Sequence, residues 1–167
     1  MLKPFHLDTE TGTTEDQITT MLSMLEKSAK PILLLGDGAT RTESDEQLRV
    51  FLEKTSLYAA YTFMGKGSID HRYARSLHCV GLGMKDIAVE VFDETDLVMC
   101  VGYDMAEWPP TRWNTTGETK IIHINSTCAE VDQHHTPDIE MIGSIPIILE
   151  VINAGGKLCT APVEKVL

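Results

Sequence analysis

At 167 residues the chain is sized for one domain, at a usual ~100–200 residues per domain, and its 43% of hydrophobic residues is enough for a sizeable core. Twenty-five acidic residues against 14 basic ones give a formal net charge of -11. Such a field repels nucleic-acid backbones and anionic lipid, which argues against both as partners. The opening "MLKPFHLDTE" lacks the apolar stretch of a secretory signal, and no apolar run approaches the ~20 residues that span a bilayer. Cys79, Cys100, Cys128 and Cys159 contain no Cys-x-x-Cys pair and read as reduced thiols. The expectation is a soluble, cytoplasmic protein.

Residues 1–13 mix Pro, Gly, Thr and acidic residues without an apolar period and read as a linker or arm. Thr14 and Gln17 then stand at capping-box spacing, and Ile18, Met21, Leu22 and Leu25 form the stripe of an amphipathic helix that Pro31 stops. "ILLLG" is an unbroken apolar run too short for a helix, as suits a strand buried on both faces. After Gly38, Ser44 and Gln47 repeat the capping box, ahead of a helix that places Leu48, Phe51 and Leu52 on one face. "LYAAYT" (57–62) is a strand, followed by a glycine-bearing loop, a short "HCVG", a helical "KDIAVEVFDE" and the strand "LVMCVG" (97–102). "KIIHIN" (120–125) and "IEMIG" (139–143) are further strands, and Ser144 caps a last helix with Pro146 in its first turn. The alternation predicts an α/β domain over 14–153: a doubly wound parallel sheet, Rossmann-like, in three layers. Residues 154–167, with Gly-Gly and a Pro, read as a tail or linker.

Ligands of such sheets bind beyond the carboxyl ends of the strands, where three glycine segments fall. These are Gly36-Asp37-Gly38-Ala39, Gly65-Lys66-Gly67 behind Thr62, and Gly102-Tyr103-Asp104. A nucleotide could approach at each, since glycine removes the Cβ. Gly36, Asp37, Gly38, Ala39, Thr62, Gly65, Lys66, Gly67, Gly102 and Asp104 are therefore the candidate cofactor-binding residues. Position 41 is Arg41, where the dinucleotide fingerprint has its third glycine, and Gly67 stands where a Walker loop has Ser or Thr. Tight-turn geometry is the stronger reading of each segment taken alone.

Other features read as structural. His134 and His135 are adjacent, so their rings point apart; solvated loop histidines are expected rather than a shared metal site. "DETD" (93–96) reads as the solvated end of a helix, and "EWPPTRW" (107–113) as a rigid packed loop. No Gly-x-Ser-x-Gly elbow offers a hydrolase nucleophile, and no catalytic residue or metal site emerges.

"AKPILLLGDGA", "YTFMGKGSI", "TDLVMCVGYDMAEWPPTRWN", "KIIHINSTCAEVD" and "TPDIEMIGSI" follow one another in an order and spacing that resembles a known family. It is the central domain of thiamine-diphosphate-dependent enzymes, acetolactate synthase group, over about residues 15–152. The stretch from Tyr103 to Trp108 is similar to catabolic members without FAD rather than to biosynthetic members, which carry an Arg-Phe-Asp-Asp-Arg run there. Ser144 departs from the usual Asp. The resemblance implies a parent enzyme that condenses two pyruvates to 2-acetolactate with release of CO2, in acetoin or branched-chain amino acid metabolism. Thiamine diphosphate and Mg would be held there by separate pyrimidine- and diphosphate-binding domains, in a homo-oligomer. Its Mg-diphosphate motif pairs Gly-Asp-Gly with an Asn some ~25–30 residues on, whereas the first Asn here is Asn114. Gly36-Asp37-Gly38 is thus the central domain's own turn, and the chain alone is expected to hold no cofactor and to be inactive, with FAD disfavoured. The competing reading is a stand-alone module binding FAD, NAD or ADP. A phosphoacceptor receiver fits poorly, because Asp37 has no acidic neighbour for Mg.

Overall fold

The computed structural model describes residues 13–83 and 87–155. The expected arm up to residue 12, the tail from 156 with Cys159, and residues 84–86 lie outside them. Helix α1 (Glu15–Lys27) opens on the expected box: the Gln17 N–H donates to Thr14 Oγ1 at 3.2 Å and the Thr14 N–H to Gln17 Oε1 at 2.8 Å. The helix ends before Pro31, which instead opens strand β1 (Pro31–Leu35). Asp96 holds the turn between them: its carboxylate accepts from the Ser28 hydroxyl and from the N–H groups of Ala29 and Lys30, at 2.5, 2.8 and 2.9 Å. "DETD" is therefore more than a solvated helix end. Thr95 is buried, Glu94 pairs with Lys30, and Asp96 fastens the turn between α1 and β1.

A five-residue helix α2 (Asp37–Arg41) follows β1 and leads into α3 (Asp45–Thr55). Ser44 occupies the cap position of α3 without the expected box. Its backbone, at φ -85 and ψ 8, is not the extended conformation that aims a cap side chain at the first turn, and its hydroxyl pairs with that of Thr42 at 2.6 Å. Next come β2 (Tyr58–Thr62), β3 (Ser76–Val80), α4 (Ile87–Asp93), β4 (Leu97–Val101) and a 3₁₀ turn over Pro110–Arg112. Strands β5 (Lys120–Asn125) and β6 (Ile139–Ile142) and helix α5 (Ile145–Ala154) are the last elements among the described residues, with Ser144 at the cap position of α5 but making no side-chain cap bond.

All six strands pair in parallel, in the order β3-β2-β1-β4-β5-β6. β1 and β4 are buried at every position, as central strands covered on both faces must be. One face packs Leu33, Leu35, Met99 and Ile122 against α1, α3 and α5. The other packs Ile32, Leu34, Val98 and Cys100 against α4 and against Tyr103, Trp108 and Trp113. The domain is a three-layer α/β sandwich, with one outer layer made of a short helix and an aromatic loop.

Candidate functional site: the strand ends of β1, β2 and β4

In this strand order the winding reverses between β1 and β4, where doubly wound sheets open a crevice at the carboxyl ends. Here the two ends touch. The Gly36 N–H donates to Val101 O at 3.0 Å and the Gly38 N–H to Gly102 O at 2.8 Å. Gly102 lies at φ 61, and a Cβ there would stand 2.2 Å from the Ala39 nitrogen. A Cβ on Gly36 would meet Gly102 O at 2.4 Å and Glu107 Oε1 at 2.7 Å. Both positions therefore require glycine so that the loops can pack on each other.

The carboxylate of Glu107 lies at this junction. It accepts from the Asp37 N–H at 3.0 Å, from the Asp104 N–H at 3.1 Å and from the Thr62 hydroxyl, so it binds the ends of β1, β4 and β2 together. Its loop is turned back by Asp104, whose Oδ1 accepts from the Ala106 N–H at 2.8 Å and whose carbonyl accepts from the Glu107 N–H at 3.0 Å. Burial raises the pKa of Glu107; the Thr62, Asp37 and Asp104 donors pull it back, and the charge of Asp37 adds to the rise. Asp37 is itself ion-paired with Arg41.

Of the candidate residues, Gly36, Asp37, Gly38, Ala39, Thr62, Gly65, Gly102 and Asp104 meet at this junction. Thr62 Oγ1 also accepts from the Gly65 N–H at 3.0 Å. Lys66 and Gly67 instead line an open groove of about 880 Å³ with Arg49, Tyr61 and Asp70. Glu107 was invisible from sequence: it stands in a segment whose Trp and Pro residues draw the reading, and its partners Thr62 and Asp37 are 45 and 70 positions away.

The loop after β4 is packed as expected. Trp108 lies edge-on to Phe92 at 5.1 Å between ring centres, and the Trp113 indole N–H donates to the Tyr103 hydroxyl at 3.2 Å. The histidine pair departs from expectation. His135 is 1% exposed rather than solvated, its ring 5.6 Å from Tyr103 and 6.0 Å from His123, because the β5–β6 loop folds back over the aromatic layer. His134 Nδ1 faces Asn114 O at 2.9 Å, so the two rings do point to different neighbours. Among the described residues no group of three or more His, Cys, Asp or Glu side chains converges to hold a metal ion.

Residues 18–152 match the family profile for the thiamine pyrophosphate enzyme, central domain. The chain belongs to that family. This central domain is 28% identical over 137 residues to the acetolactate synthase of Bacillus subtilis (strain 168), covering 79% of the chain and 23% of that protein. It is 31% identical over 121 residues to the catabolic acetolactate synthase of Raoultella terrigena, covering 72% and 22%. A third relative, the acetolactate synthase of Arthrospira platensis, is 31% identical over 141 residues, covering 80% and 24%. The central domain spans less than a quarter of the length of these relatives.

Proposed function

We propose that this chain serves as the central domain of an acetolactate-synthase-like carboligase. In the whole enzyme one pyruvate loses CO2 and the resulting carbanion adds to a second pyruvate, giving 2-acetolactate. The observation that carries the reading is the match of residues 18–152 to a central-domain profile. The role of the chain is structural. Thiamine diphosphate and Mg bind to pyrimidine- and diphosphate-binding domains outside it, in a homo-oligomer. The pairing of Asp37 with Arg41 supports this placement, because it leaves the Gly-Asp-Gly turn without a spare carboxylate for a metal. The loops after β2 and β3 are the contact surface for those domains, which the exposure of Phe63, Met64 and Leu82 supports (59%, 49% and 64%). A cytoplasmic setting belongs to the same proposal.

The test is a chimera in which residues 14–153 replace the matching segment of the Bacillus subtilis acetolactate synthase. With thiamine diphosphate, Mg and pyruvate the chimera is expected to form acetolactate, and the isolated chain none. Turnover of pyruvate by the isolated chain, or a folded, cofactor-binding chimera that makes no acetolactate, would count against the reading.

A further inference from the structure

At the β1–β4 switch point the N–H groups of Gly36, Asp37, Gly38 and Asp104 and the Thr62 hydroxyl already have partners within the chain. We infer that Glu107 is the chain's own occupant of this crevice, a built-in carboxylate that stands where a ligand's phosphate would lie and closes the crevice to nucleotides. The inference rests on the crevice alone and holds whatever reaction the whole enzyme performs.

Three observations carry it. The first is coordination: Glu107 is held by donors from three separate strand ends, the N–H of Asp37 after β1, the N–H of Asp104 after β4 and the hydroxyl of Thr62 ending β2. These are the donor types that fix a phosphate in other sheets of this kind, here spanned by one side chain. The second is space. Gly36 backs directly onto Gly102 and onto Glu107 Oε1, with a Cβ position 2.4 and 2.7 Å from them. A diphosphate could reach the backbone only by parting the two loops and their hydrogen bonds at 3.0 and 2.8 Å. The third is charge. The Asp37 carboxylate lies close enough to that of Glu107 for its charge to be felt there, and Arg41 is already tied to Asp37. A phosphate anion arriving there meets carboxylates, in a molecule of net charge -11.

The test uses the whole chain, with ADP, FAD and sodium acetate as probes, followed by calorimetric titration and thermal unfolding. The wild-type protein is expected to show no saturable heat and no midpoint shift with ADP or FAD, and no more response to acetate than to sodium chloride of equal ionic strength. Glu107→Ala is expected to unfold several degrees lower and to regain part of the loss saturably with acetate, which re-supplies the missing carboxylate. Glu107→Gln, which keeps one acceptor oxygen, is expected to fall between the two. Saturable binding of ADP or FAD by the wild type would overturn the inference. So would a Glu107→Ala variant as stable as the wild type, or one that acetate stabilises no more than chloride does. If Glu107→Ala does not fold, the wild-type titrations and the midpoint of Glu107→Gln decide: nucleotide binding, or a Gln midpoint equal to wild type, refutes it. Nucleotide binding here would leave the chimera assay untouched, so the two readings fail separately.

Discussion

Gly102 combines a left-handed backbone with the closest approach in the crevice, a Cβ position 2.2 Å from the Ala39 nitrogen. Gly102→Ala is expected to cost about 3 kcal/mol or more, since either the loop or the strand end must shift. Gly67→Ala supplies the control: φ is 105 but nothing lies within 4 Å, so only the backbone penalty of roughly 1–2 kcal/mol is expected. Urea unfolding of the two variants checks the difference. A second residue-scale prediction concerns His123. Burial lowers its pKa, the nearby His135 adds to the lowering, and the Thr127 carbonyl and Glu140 oppose it; Cys100 on β4 is a neutral thiol, its pKa raised by burial. Its Nδ1 and His135 Nε2 are buried without a hydrogen-bond partner among the described residues. Because the folded pKa lies below the unfolded value of about 6.5, the unfolded chain takes the proton first. The contribution is therefore complete above that pH and is lost as pH falls through the folded pKa. The urea midpoint is expected to drop as pH falls below about 6.5, and His123→Phe to flatten that part of the profile; a variant whose profile keeps the wild-type slope there refutes the assignment.

At the scale of elements, the outer layer over Ile32, Leu34 and Val98 is half helix and half loop. Trp113 is 1% exposed and touches Phe92 of α4, Tyr103, Trp108 and His135. Trp113→Ala is expected to cost about 3–5 kcal/mol and to loosen α4 first, visible as lost amide protection over residues 88–93. The central elements were legible in the sequence because their physics is local. "ILLLG" and "LVMCVG" are apolar without interruption, and the capping box at Thr14 sits within four residues. Strand β3 was only half legible, since an edge strand reading Ser-Leu-His-Cys-Val lacks an apolar run and has His78 at φ 61. The cap at Ser44 was misread because α2, too short to show a period, feeds directly into α3 and fixes Ser44 away from the extended region. In the crevice the glycines were legible as turns, whereas Glu107 and the burial of His135 depend on contacts between distant segments.

At the scale of the whole molecule, Phe63, Met64 and Leu82, with Val131 on the β5–β6 loop, are the large apolar side chains exposed among the described residues of an acidic domain. Phe63→Ser combined with Leu82→Ser is expected to leave the stability of the isolated chain within about 0.5 kcal/mol, as exposed positions do. In the chimera the same pair is expected to reduce acetolactate formation, through lost contact with the neighbouring domains. Equal activity with and without the pair would remove these loops from the contact surface. The strand order has a further consequence, for the time the chain takes to fold. Within each half of the sheet, strands pair with near neighbours in sequence, but the halves join along β1 and β4, from Pro31 opposite Leu97 to Leu35 opposite Val101. That seam closes a loop of more than sixty residues before its hydrogen bonds repay the lost chain entropy. Joining β1 to β4 is thus expected to be the slow step of refolding, and until it happens the apolar edges of both strands are open to pairing with another chain; stopped-flow refolding as fast as that of a local hairpin would refute this.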